Sequence, residues 1–141
     1  MMYRRLSIFM LIVLCAACKK GQQTSACGTQ ACTALFTSIG VTFKDKNNNA
    51  VNVINYKVID LRTNKEITIT PPPNIDVEPG YKVIIDDSSL KDLSSDGDSI
   101  QVTATNPATN EAKATLFKIS GGLCNCHVSK LSGPDTIVFT Q

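Results

Sequence analysis

The sequence predicts an all-β domain, an immunoglobulin-like antiparallel β-sandwich of about eight strands stapled by disulfides, over residues 32–141. Three observations point there. From Leu35 onward, short runs that alternate apolar and polar residues recur between turn signals. No stretch keeps a helical period for three turns. Four cysteines stand in two close pairs near the two ends of the domain, where they supplement a core of modest size.

Taken in order, Ile39, Val41 and Phe43 alternate with Gly40, Thr42 and Lys44, which gives one apolar strand face, and 45–49 is a turn. In 51–61 the parity changes. Val51 and Val53 share one face while Ile54, Tyr56 and Val58 take the other, so a bulge near 52–55, or burial of both faces, is expected. A turn at 62–65 leads to a third strand with Ile67 and Ile69, ended by Pro71 to Pro73, which have no N–H for a ladder. Ile75 and Val77 make a brief strand, 78–80 a turn, and Tyr81, Val83 and Ile85 another alternating strand. The polar stretch 86–99 carries Leu90 and Leu93 at the spacing of one helical turn, suited to plugging the sandwich. Ile100, Val102 and Ala104 lead to a turn at 106–110, and strands at 112–119, 124–131 and 136–139 complete the set.

Ahead of the domain lie Arg4 and Arg5, an apolar run over 6–14, and the small residues Ala16 and Ala17, the three parts of a secretory signal. The run is shorter than the roughly 20 residues that cross a bilayer as a helix. Cys18 directly after Ala16-Ala17 resembles the bacterial lipobox over residues 14–18, with Cys15 standing where leucine is commonest. That resemblance implies cleavage before Cys18, a diacylglycerol thioether on Cys18, and acylation of the new amine. Residues 1–17 are then a signal peptide and 18–31 a lipid-anchored spacer of small polar residues. The run Cys18-Lys19-Lys20 resembles the start of lipoproteins of the Bacteroidota, and no acidic residue precedes Asp45. Together these imply an outer-membrane anchor, with the periplasmic face favoured over the cell surface.

Within the domain, Val41-Thr42-Phe43-Lys44-Asp45, the Asn-rich turn, Ala50-Val51 and the later Thr63-Asn64 are similar to the opening hairpins of transthyretin-like and carboxypeptidase-regulatory-like modules, over residues 39–70. The likeness implies an accessory or binding sandwich and not a catalytic unit. The C-terminal cysteine pattern departs from it.

Charge excludes one partner class. The chain has 14 basic and 12 acidic side chains, but Arg4 and Arg5 leave with the signal, so 12 basic and 12 acidic remain. No basic stripe is left for a phosphate backbone, and no nucleic-acid partner is expected.

Cys27 and Cys32 are separated by four residues, Cys124 and Cys126 by one. In an oxidising compartment an even number reads as disulfides. On an extended strand Cys124 and Cys126 would have α-carbons about 6.5 to 7 Å apart, at the limit for a disulfide, so each is expected to bond one of the N-terminal pair. Two such arrangements are open. The competing reading is a metal-binding lipoprotein, using Cys124-Asn125-Cys126-His127 with Cys27 and Cys32 for zinc or copper. Zinc knuckles space their cysteines by two to four residues, and Cys124 and Cys126 have only one between them. His127, the only histidine, would point away from both cysteines on a strand and be solvated.

The same alternative could use calcium at Asp86, Asp87, Asp92, Asp96 and Asp98, five of the twelve carboxylates. Asp96-Gly97-Asp98 lacks the further acidic positions of an EF-hand loop and reads as an ordinary turn. No Gly-x-Ser-x-Gly, phosphate-binding glycine loop or histidine cluster appears. The expectation is a lipid-anchored envelope protein, not an enzyme. It uses no cofactor, metal or catalytic residue, and presents its sandwich to an envelope protein or glycan.

Overall fold

Alternating strands of this kind cover their apolar faces by stacking two sheets, and the computed structural model shows that arrangement. It describes residue 27, residues 31–69 and residues 78–141. The signal and Cys18, most of the spacer, Pro71 to Pro73 and the expected Ile75–Val77 strand lie outside those residues.

Eight strands are present among the described residues. In the first sheet β1 (Ser38–Lys44) lies between β4 (Tyr81–Asp86) and β8 (Thr136–Val138). The second runs in the order β3 (Lys65–Glu66), β2 (Ile54–Asp60), β5 (Asp98–Thr105), β6 (Ala112–Ser120), β7 (Ser129–Ser132). Every pair is antiparallel except β1 with β8, which run parallel with Phe43 opposite Ile137. The chain is thus an all-β sandwich.

The core forms where the two inner faces meet. Val41 and Phe43 of β1 face Ile100 and Val102 of β5 and Phe117 and Ile119 of β6, all at most 2% exposed. Phe43 stacks on Phe139 and meets Tyr56 edge-on, with ring centroids 6.1 Å apart in both cases. Each such side chain contributes about 1.5 to 3 kcal/mol on burial.

Local irregularities follow from identifiable residues. Asn55 has φ +51° and the β2–β5 register shifts between Ile54 and Lys57, so a bulge resolves the parity change. Val53 and Val58 are buried on either side of it and Ile54 is left exposed. A second bulge in β4 inserts Ile84 between the partners of Ile39 and Gly40, and both Ile84 and Ile85 are buried. Asn48, Asn64 and Asn110 take positive φ in the three expected turns, a conformation asparagine tolerates. Asp86 caps a 3₁₀ helix, Asp87–Asp92, by accepting from the Ser88 N–H at 2.9 Å. Leu90 and the buried Leu93 pack this segment onto the core, as their spacing predicted.

The expected strands 51–61 and 136–139 are trimmed to Ile54–Asp60 and Thr136–Val138, and two others are much shorter than read. The third is only Lys65–Glu66, with Ile67 adding one bond to the Val58 carbonyl. The stretch 124–131 is not a strand until Ser129, and 123–127 is turn and bend. Gly121 and Gly122 (φ +91°) turn the chain against the 3₁₀ helix. A Cβ on Gly121 would lie 2.6 Å from the Leu90 carbonyl oxygen, and the Gly122 N–H donates to that same oxygen.

Candidate functional site

The end of the sandwich where β1 begins and β6 finishes is cross-linked to the incoming chain. Cys27 is bonded to Cys124 and Cys32 to Cys126, with α-carbons 5.1 and 5.2 Å apart. This is one of the two crossed arrangements left open by the sequence. The strand geometry that suggested crossing is absent. The loop after β6 faces the segment before β1, and each cysteine meets its partner across that gap.

His127 corrects an expectation. It is not a solvated residue on an outer strand face, because its segment is bent and the Cys32–Cys126 bond brings Thr33 beside it. Its side chain is 25% exposed, with Nδ1 2.7 Å from Asp87 Oδ2 and Nε2 2.8 Å from the Thr33 hydroxyl. In the neutral imidazole that donates to Asp87, Nε2 accepts from Thr33. Asp87 also accepts from the Thr37 N–H at 2.8 Å and the Val128 N–H at 2.9 Å. Burial pushes its carboxyl up, but the bonds from His127, Thr37 and Val128 outweigh this and hold it below the usual carboxylate range. One carboxylate therefore ties the incoming segment, the 3₁₀ helix and the loop before β7 together.

Thr33, His127 and Asp87 stand in the order of a nucleophile, base and orienting acid. The clefts along the sandwich are lined by other residues. The remaining acceptor positions of Asp87 are taken by backbone N–H groups, which is the pattern of a junction between chain segments. Sequence reading missed Thr33, and it weighed Asp87 only as a calcium carboxylate and not as a junction. The signal available was that Thr33 follows Cys32 as His127 follows Cys126, so the bond between those cysteines brings the next residues together.

The five aspartates do not converge. Asp86 caps the helix, Asp87 is the junction, and Asp98 receives the Arg62 guanidinium fork, Nε at 2.7 Å and Nη2 at 2.9 Å, with the Ser94 N–H at 2.9 Å. Burial raises the Asp98 carboxyl and the bonds from Arg62 and Ser94 outweigh it, so it too lies below its usual range. Asp92 and Asp96 are exposed. No three His, Cys, Asp or Glu side chains among the described residues are grouped to hold a metal ion. No helix among them is long and apolar enough to cross a membrane.

A second feature is a cleft of about 330 Å³ between β4 and the β2–β3 edge, lined by Tyr56, Tyr81, Ile67 and Lys82, with the ion pair Lys57–Glu66 (3.2 Å) at its rim. Tyr56 donates to the Val83 carbonyl at 2.9 Å and burial pushes its phenol up. Tyr81 lies over Gly40, where a Cβ would come within 2.1 Å of its hydroxyl, so only glycine admits this ring position.

Fold and site define the class: a disulfide-stapled all-β sandwich whose N-terminal segment is bonded into one end of the domain. No protein-family model matches the chain, and no curated protein or solved structure matches it.

Proposed function

We propose that the chain is a lipid-anchored cell-envelope protein that presents its sandwich as a binding or structural accessory module and is not an enzyme. Residues 1–17 are the cleaved signal and Cys18 carries the lipid, at the outer membrane with the periplasmic face favoured. The observation that carries this reading is the fastening of the segment that follows Cys18. Two disulfides and the Asp87 junction hold it to the domain. Such bonds form in an exported protein, and they pass load from a tether into both sheets. With all four cysteines paired and Asp86, Asp87 and Asp98 occupied by protein donors, nothing favours the metal-binding alternative. The Tyr56–Tyr81 cleft is the concave surface where a glycan or protein segment would rest, and its volume lies at the lower end of the range for ligand pockets, about 300 to 1,000 Å³.

Mass spectrometry of the protein from membranes tests the anchor. The expected N-terminus is triacylated or diacylated Cys18, lost in Cys18→Ser along with membrane fractionation. A free thiol at Cys18 on a chain cut at Ala17 would refute the reading.

A further inference from the structure

We infer that the stapled end of the sandwich is a membrane-docking face, with Leu35, Phe36 and Leu123 entering the interfacial layer of the bilayer that holds the Cys18 lipid. This deepens the anchored reading above and rests on it. The first support is where exposed apolar area is concentrated. Among the described residues the three most exposed large hydrophobic side chains are Leu123 (79%), Leu35 (74%) and Phe36 (69%), ahead of Leu116 at 58%. All three belong to the two segments that the disulfides join. Leu123 precedes Cys124, so its α-carbon is about 3.8 Å from that of Cys124, which is itself 5.1 Å from that of Cys27.

The second support is the length of chain between lipid and staple. Cys18 to Cys27 is nine residue steps of small and polar residues. Nine steps of backbone can reach at most about 30 Å. The Cys27–Cys124 bond fixes where this tether leaves the domain, so the corner bearing Leu123 is the part held nearest the bilayer. The headgroup layer is roughly 5 to 8 Å deep on each side, and the tether confines this corner to within about 30 Å of the lipidated residue, so that apolar contact with the layer is always within reach.

Chemistry agrees at both ends. Leu and Phe side chains on a polar backdrop suit the boundary between headgroups and acyl chains. Lys19 and Lys20 beside the lipid suit anionic headgroups. The opposite end, where the turns at 45–50 and 106–110 meet, presents Lys46, Asn47, Asn48, Asn49 and Thr109, with no large apolar side chain in either turn.

The chain contains no tryptophan, so one introduced tryptophan reports alone. Full-length acylated Phe36→Trp, Leu123→Trp and, at the opposite end, Asn47→Trp are reconstituted into vesicles of phosphatidylethanolamine and phosphatidylglycerol with brominated acyl chains. Docking predicts blue-shifted emission for Phe36→Trp and Leu123→Trp, with quenching by bromolipid at least about twofold stronger than for Asn47→Trp. Equal quenching in all three overturns docking while leaving the anchor intact. A blue shift that bromolipid does not quench means that protein, such as a second copy, covers the patch, and this also overturns it. Absence of acyl chains on Cys18 in the same preparations refutes the anchored reading itself, and docking falls with it.

Discussion

The two disulfides close loops that overlap over almost their whole length, and this makes their removal measurably non-additive. Cys27–Cys124 spans 97 residues and Cys32–Cys126 spans 94. In the loop-entropy treatment, the first bridge of either kind stabilises by about 4.7 kcal/mol at 25 °C, because it closes nearly the whole domain. Once one bridge exists, the other closes only the small ring made of five steps from Cys27 to Cys32 and two from Cys124 to Cys126. A ring of that size adds about 2.5 kcal/mol by the same relation. Replacing either pair by alanine should therefore cost about 2.5 kcal/mol, whichever pair is chosen, and lower Tm by roughly 10 °C. Replacing all four should cost about 7 kcal/mol, which exceeds the stability of a domain at the lower end of the ordinary range of about 5 to 15 kcal/mol. Urea unfolding of the two paired variants and the fourfold variant, followed by circular dichroism, measures all three values. Single-pair losses near 4.7 kcal/mol, or a fourfold loss no larger than one single-pair loss, would show that the bridges do not act as overlapping closures.

Asp87→Asn keeps the shape of the junction but weakens its bonds to His127, Thr37 and Val128, and is expected to cost about 1 to 3 kcal/mol by thermal or urea denaturation. The pH dependence follows from the lowered carboxyl of Asp87. Its contribution is present above the unfolded-state value near 3.9 and lost as pH falls through the lower folded-state value. A urea titration below about pH 4 should then show a shallower acid loss in Asp87→Asn than in the parent, with the other lowered carboxyls, Asp98, Asp45 and Glu111, supplying the slope that remains. Arg62→Met leaves the 3% exposed Asp98 without its fork and should lower the urea midpoint, by less than loss of a fully buried pair would because the guanidinium is half exposed. Arg62→Lys should recover only part of that loss, since an ammonium cannot supply the two parallel bonds. Gly40→Ala drives a methyl into Tyr81 and should cost about 1 to 3 kcal/mol in urea while altering the near-ultraviolet tyrosine signal of the cleft.

Where one face of a strand is buried, periodicity of two is enough to place it. Ile39, Val41 and Phe43, then Ile100, Val102 and Ala104, were legible for this reason, and all are in the core. Turn asparagines were legible because few other residues accept positive φ, and Asn48, Asn64 and Asn110 do so. Leu90 and Leu93 announced the helical turn. Reading failed over 124–128, the first part of the expected strand 124–131, because Gly121 and Gly122 had already turned the chain and pairing begins only at Ser129. It failed at His127 for the same cause, since a strand argument sends that side chain outward whereas a bend sends it to Asp87.

By itself the sequence determined the fold class, the order of most strands and the fact that the incoming segment and the last third of the domain carry matched cysteine pairs. Those features depend on local alternation and on residue chemistry, which do not need long-range information. Only the tertiary structure decided that Cys27 bonds Cys124 and Cys32 bonds Cys126, that β8 joins β1 in parallel, and that Asp87 gathers Thr37, His127 and Val128. These are contacts between residues 40 to 97 positions apart. Their partners are chosen by how the two sheets stack, and no spacing along the chain records that choice.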